Sequence, residues 1–186
     1  MSIEIIHMSF VKKVSSVFSI SLLLFICSCS EPKSALSKYG PELEGVMRSD
    51  FGTFRGFNLG DKMDTVLVKE SGKGIDADEG YLYYEFKLQD SNSYNISYSF
   101  DDAGLNEIQS DIYIQNPSNT EKVFNSFKSY FDDHFGANEN HQGFMVWTVK
   151  SEKYGDVRIN LSDESADFTI PGSPGKIALW IYPDKE

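Results

Sequence analysis

From Tyr81 onward the chain alternates. Leu82, Tyr84, Phe86 and Leu88 fall on one parity, and Tyr81, Tyr83, Glu85 and Lys87 on the other. This is the period-two pattern of a strand with one buried and one solvated face. Tyr94, Ile96, Tyr98 and Phe100 repeat it against Asn95, Ser97 and Ser99, and Ile108, Ser110, Ile112 and Ile114 repeat it against Glu107, Gln109, Asp111 and Tyr113. Asp101-Asp102-Ala103-Gly104 reads as the hairpin turn between the second and third strands. The period changes at Asn116-Pro117-Ser118-Asn119. Val123, Phe124, Phe127, Tyr130 and Phe131 then recur at helical spacing as far as Phe135, with Ser118 and Glu121 placed as a capping box and Gly136 as a helix-ending glycine. Strand patterns return over 144–150, 156–161, roughly 167–170 and 176–182, with a tight loop over 171–175. In the last strand Ile177, Leu179 and Ile181 oppose Ala178, Trp180 and Tyr182. Upstream, 54–60 reads as a short strand or extended entry. Asp61 is placed as an N-cap, with Asp64 at the third helical position, and Met63, Val66 and Leu67 share one face of a short helix that Ser71-Gly72 ends.

These patterns predict an α+β fold: an antiparallel sheet of six or seven strands with two helices on one face, in the order α-β-β-β-α-β-β-β(-β). One apolar and one polar face per strand suits an antiparallel sheet covered on a single side. The two halves share a plan, a pseudo-repeat of layout without repetition of residues.

The first thirty residues differ in kind. Lys12 and Lys13 precede an uncharged apolar stretch from Val14 to Ile26. It is shorter than the ~20 residues that span a bilayer and has the length of a signal-peptide core, about 7–15 residues. It ends in Ile26-Cys27-Ser28-Cys29, which resembles the lipobox of bacterial lipoproteins, with an aliphatic residue at −3, a small one at −1 and then cysteine. Cys29 fits this frame and Cys27 does not, because Ile26 would then occupy −1. The resemblance implies a lipoprotein signal peptide over 1–28, diacylglycerol on the Cys29 sulfur, cleavage before it and acylation of the new amine, and so a membrane partner through that lipid. Because Glu4 precedes the basic pair, Met8 makes a better start than Met1. Residues 29–50, rich in Ser, Pro, Lys and Glu, read as a lipidated tether; a coil of about 20 residues reaches roughly 25 Å. A single α+β domain is then expected over 51–186.

Charge and cysteine content narrow the function classes. Residues 1–28 hold Lys12, Lys13 and Glu4; without them the counts are 15 basic and 27 acidic, a net of −12. Such a surface repels nucleic acid and anionic headgroups. With Cys27 removed and Cys29 acylated, the mature domain has no thiol for a disulfide, a nucleophile or a metal site.

Phe54-x-Gly56-x-x-Leu59-Gly60-Asp61-x-x-x-x-Val66 resembles a motif of small α+β envelope lipoproteins, the SmpA/OmlA-type outer-membrane assembly lipoproteins, and of the related β-lactamase-inhibitor-like domains. The layout is also similar to that of uncharacterised lipoproteins of Bacteroidota-type bacteria. The resemblance implies protein binding through the open face of the sheet and transfers no site residue. Ser30 after the cysteine is not the inner-membrane-retaining Asp of enteric bacteria, which points to the outer membrane.

No chemical motif stands out. Gly72 to Ala77 has a dinucleotide-type glycine pattern, but after a helix and before a strand, the wrong context; it reads as a loop. Asp76-Ala77-Asp78-Glu79-Gly80 is a solvated acidic loop whose frame misplaces the glycine and glutamate of a calcium loop. Asp101-Asp102 belongs to a turn. Asp132-Asp133 sits near a helix C-terminus, where negative charge is mildly unfavourable. His134 and His141, the only histidines after residue 28, read as capping and surface groups. No cofactor, metal or catalytic residue is therefore assigned. The set with most promise is aromatic: of Tyr81, Tyr83, Tyr113, Trp147, Trp180 and Tyr182, several fall on the strand faces opposite the aliphatic ones, where exposed rings mark binding surfaces. The leading expectation is a non-enzymatic envelope lipoprotein that binds a protein or other envelope ligand. An envelope hydrolase using carboxylates and a histidine, and a purely structural component, are the alternatives.

Overall fold

A computed structural model describes residues 34–70, 74–167, 170 and 172–184, with side chains of 74–77 excepted. Residues 1–33, which hold the expected signal peptide and lipobox with Cys29, lie outside the described residues.

The fold is α+β, with an antiparallel sheet. In chain order the elements are α1 (Pro41–Met47), α2 (Met63–Lys69), β1 (Gly74–Asp78), β2 (Tyr81–Lys87), β3 (Ser93–Asp101), β4 (Gly104–Ile114), α3 (Thr120–Phe135), β5 (Glu139–His141), β6 (Phe144–Ser151), β7 (Gly155–Asp163) and β8 (Gly175–Pro183). The sheet order is β1-β2-β3-β4-β8-β7-β6-β5, every neighbouring pair antiparallel. The six strands expected from alternation are present as β2–β4 and β6–β8, and short β1 and β5 extend the two margins.

Register explains why one core suffices. Ile108 pairs with Ile181 and Ile112 with Ile177 across the central β4–β8 seam, and Trp147, Ile159 and Ile181 continue the row through β6, β7 and β8. These side chains form one cluster with Leu82, Tyr94 and Ile96 of the first half and with the buried faces of all three helices. In α3, Val123, Phe127, Tyr130 and Phe131 are buried as the spacing predicts, and the helix lies on β6, β7 and β8. Gly136 ends it at φ 89°, a left-handed conformation suited to glycine.

Several local expectations are corrected. Residues 34–50 are not tether: a 3₁₀ turn at Ala35–Tyr39 and α1 bury Leu36, Leu43, Val46 and Met47. The i, i+3, i+4 spacing of the last three residues gives α1 an apolar edge, and a Cβ on Gly45 would stand 2.6 Å from a Leu88 methyl, so this helix needs glycine for its close approach. Residues 54–60 form a turn with one bridge, Phe54 to Phe57, instead of a strand. Asp61 does not cap α2. Lys62 occupies the cap position, Asp64 is the second helical residue, and Asp61 Oδ2 accepts from the Asn58 N–H at 3.0 Å in the preceding turn. Leu67 is 43 % exposed, so α2 is held by Val66 and Met63. The capping box is not formed: Asn116 accepts from the Ser118 N–H, and Asn119 precedes α3 without a side-chain cap bond. Of the strand expected at 167–170, residues 168 and 169 lie outside the described residues, while Asp167 ends a 3₁₀ turn that starts at Ser165. Asp163 Oδ1 takes the Ser165 N–H at 2.9 Å, a local bond that competes with a ladder. Gly74–Asp78, read as loop, is strand β1, with Glu79-Gly80 as its hairpin turn.

Candidate functional site

The parity that fills the core also builds the opposite face. Following the register outward gives a row of Tyr83, Ser97, Gln109, Trp180, Asn160 and Val146 across β2, β3, β4, β8, β7 and β6. A neighbouring row runs Glu85, Asn95, Asp111, Ala178 and Ser162. All three helices contribute residues to the core on the other side, α2 through Val66 and Met63, so this face carries no helix among the described residues. It is polar in its middle, with rings in two groups.

The first group is Tyr81, Tyr83 and Tyr113 on β2 and β4, all half-buried. Tyr83 donates to Glu85 Oε1 at 3.1 Å and Tyr113 to Asp111 Oδ2 at 3.5 Å. Burial, reinforced by those carboxylates, pushes both phenols above their ordinary range, so they act as neutral hydrogen-bonding groups. The second group is Trp180 and Tyr182 on β8, with ring centroids 4.4 Å apart. Trp180 is 42 % exposed, and Asn160 donates to the Tyr182 hydroxyl at 3.1 Å. Beside Trp180 the face dips into a shallow depression of about 330 Å³. Lys176 closes one end of it between Asp111 (3.1 Å) and Glu164 (2.9 Å). Burial lowers the Lys176 pKa, but hydrogen bonds to both carboxylates outweigh it and hold the ammonium charged.

Trp147 does not belong to this set. It is 1 % exposed on the core face, packs against Phe131 at 5.2 Å, and donates its indole N–H to Asp132 Oδ1 and to the Gly136 carbonyl, both at 3.1 Å. Strand β6 is apolar on both parities, Phe144 and Val146 against Met145, Trp147 and Val149, so alternation alone did not orient it.

The remaining polar candidates serve structure and are not gathered into one cleft. Asp132 also takes Lys128 (2.7 Å) and Asn138 (2.8 Å). Burial raises its pKa, yet these hydrogen bonds hold the carboxyl below the ordinary value. Asp133 takes the Tyr39 hydroxyl (2.6 Å) and Lys38 (3.2 Å), tying the first 3₁₀ turn to α3. Asp101 accepts from Tyr154 at 2.7 Å, which lowers its pKa, while Lys153 reaches the Gly60 and Ala103 carbonyls, so two turns and the 58–61 loop are clamped at one end of the sheet. His134 Nδ1 lies 2.8 Å from the Tyr130 carbonyl one helical turn back, and His141 is exposed on β5. Among the described residues no three His, Cys, Asp or Glu side chains converge as a metal site, and no helix is long and apolar enough to cross a membrane.

One polar cluster was invisible to sequence reasoning. Arg55 is 5 % exposed, Glu70 is 6 % exposed, and they form a bidentate pair, Nε to Oε1 at 2.9 Å and Nη2 to Oε2 at 2.8 Å. Arg55 also donates to the Tyr94 hydroxyl (2.8 Å) and the Val46 carbonyl, Tyr98 donates to Glu70, and Arg48 reaches Glu70 Oε2 at 3.0 Å. Burial lowers the Arg55 pKa, but the bond to Glu70 outweighs it and keeps the guanidinium charged. The cluster pins α1, the 48–61 loop and the end of α2 to β3. The one sequence hint is a cation flanked by rings in Phe54-Arg55-Gly56-Phe57.

Comparison with models of known protein families, with curated proteins and with solved structures finds no match.

Proposed function

We propose that this chain is a lipid-anchored lipoprotein of the bacterial envelope, whose domain is a non-enzymatic binding module working through the open face of its sheet. The observation that carries the reading is that face itself: six strands wide in register, uncovered by any described helix, and carrying six rings, Phe144 among them, over a floor of Ser, Asn and Gln. Rings of this kind supply large contact area with a polar handle, and exposed patches of them mark interaction sites. The two meanders β1–β4 and β5–β8, each following a helix and meeting at the β4–β8 seam, support reading the sheet as two pseudo-repeats. Tyr81, Tyr83 and Tyr113 lie on one lobe, and Trp180 and Tyr182 on the other. Asp101, Asp132, Asp133 and His134, among the groups on which a hydrolase would rely, are engaged in structural contacts.

The address rests on the lipobox at Ile26–Cys29. Four residues lie between Cys29 and Ser34, the first described residue, so the two are at most about 18 Å apart along the chain. A lipid on Cys29 would hold the domain close to the bilayer, in the outer membrane by the Ser30 argument. Two tests separate the parts of this reading. A C29S variant leaves the membrane fraction; retention at the wild-type level removes the lipid anchor. A photocrosslinker at Tyr83 or Trp180 captures the same ligand in native membranes, while one at exposed Lys122 on α3 does not. Indistinguishable adducts from all three sites would remove the open face from the reading.

A further inference from the structure

We infer that the depression beside Trp180 is a saccharide subsite, which takes one pyranose of a neutral, hydroxyl-rich glycan stacked on the indole ring. The inference rests on the open face being the binding surface and names the ligand class of its β8 lobe.

The chemistry of the lining selects the ligand. Trp180 and Phe144 are the exposed rings of the lining, and Trp180, the more exposed, is held at its position by Tyr182 at 4.4 Å and flanked in register by Gln109 on β4 and Asn160 on β7. Gln109 Nε2 donates to Glu107 Oε1 at 2.8 Å and Asn160 Nδ2 to the Tyr182 hydroxyl at 3.1 Å, which leaves each amide a second N–H, and Gln109 its Oε1, for a ligand. Ser162 and the Asp111 carboxylate line the same depression. A purely apolar ligand would cover the second N–H of each amide and the Gln109 carbonyl without offering them partners, which costs free energy. An anion meets two carboxylates and a single ammonium already bonded to both, on a chain whose net charge is −11. What remains is an uncharged molecule with one flat C–H face for the indole and a rim of hydroxyls that both donate and accept, as a pyranose has. The volume, about 330 Å³, lies at the low end of small-ligand sites, roughly 300–1,000 Å³, and suits one ring of a longer chain instead of a whole enclosed ligand.

The chain has two tryptophans, and Trp147 is buried, so a change of indole emission on adding sugar reports on Trp180. The full chain in detergent is titrated with cellotetraose, maltotetraose and tetra-N-acetylchitotetraose, and with tetragalacturonate as the acidic counterpart. At least one neutral oligosaccharide is expected to give a saturable change. Binding weakens about ten-fold or more in Trp180→Ala and in Gln109→Ala, with circular dichroism and unfolding midpoint near those of the wild type. The acidic oligomer binds about ten-fold more weakly than the best neutral one. No saturable change with any neutral sugar, or binding that survives Trp180→Ala, overturns the saccharide subsite. If crosslinks from Tyr83 and Trp180 to a protein persist in that case, the open-face reading stands and only the ligand class falls. If they too are lost, both fall.

Discussion

The two tryptophans measure the difference between the two faces of one sheet. Trp147 lies in a row with Ile159, Ile181 and Ile108, and Trp180 in a row with Asn160 and Gln109. Both rings sit on strands of the second half, and both pack on an aromatic neighbour. Yet Trp147 is 1 % exposed with its N–H doubly bonded, whereas Trp180 is 42 % exposed over a polar floor. A buried face tolerates polar atoms only when each finds a partner. Hence Trp147 meets Asp132 and a carbonyl, and Ser110, the one hydroxyl in the β4 core row, donates to the Asn95 carbonyl at 2.7 Å. The open face is under no such constraint: its amides bond locally, Gln109 to Glu107 and Asn160 to Tyr182, and each keeps a second N–H that is useful for recognition and of no help to folding.

The largest effects should come from the buried side. Glu70→Ala leaves the Arg55 guanidinium, whose side chain is 1 % exposed, without its counter-ion, and is expected to cost about 3–5 kcal/mol in urea unfolding. A loss below about 1 kcal/mol would mean that the cluster is not the pin described. Trp147→Ala is expected to cost a similar ~3–5 kcal/mol, from lost burial and a cavity under α3. It also strips Asp132 of a donor, so the loss should be partly shared with Asp132→Asn in a double-mutant cycle.

How legible the two faces were differs as well. The strands β2, β3, β4, β7 and β8 and the helix α3 are written in parity and spacing, because each has a single apolar side and long enough runs to show it. Helix α1 is not: seven residues in a Ser-, Pro- and Glu-rich stretch are shorter than the window in which helical period shows. Gly74–Asp78 offers Ile75 as its only large apolar residue, and its strand character comes from pairing with β2. Five of the six aromatic positions followed from alternation, while Trp147 did not, because both parities of β6 are apolar. Arg55 and Glu70 stand fifteen residues apart across a turn and a helix, and nothing local marks them as partners. What tertiary contact alone decides was unreadable; what period decides was readable.

A smaller, pH-dependent effect sharpens the contrast. Asp132 is held below the ordinary 3.8 by hydrogen bonds from Lys128, Asn138 and Trp147 against the opposing effect of burial. A carboxyl with a depressed folded-state pKa contributes stability that is full above its unfolded value and is lost as pH falls through the folded one. Asp132→Asn is therefore expected to cost about 1 kcal/mol at neutral pH and to flatten the acid limb of stability below about pH 4. An acid limb of unchanged slope would show that Asp132 titrates alike folded and unfolded.

The smallest effect is the most telling. Trp180→Ala removes a large ring, but one that is nearly half exposed and contacts a neighbour on its own strand. Its cost to stability should be at most about 1 kcal/mol, within the range of a single same-face sheet contact. A residue so large that matters so little to folding, set between amides that each keep a second N–H, is poorly explained as packing and well explained as a contact surface. If unfolding instead shows Trp180→Ala as costly as Trp147→Ala, the distinction between the faces collapses. Trp180 then belongs to the framework, and the rings of β8 lose their standing as a site.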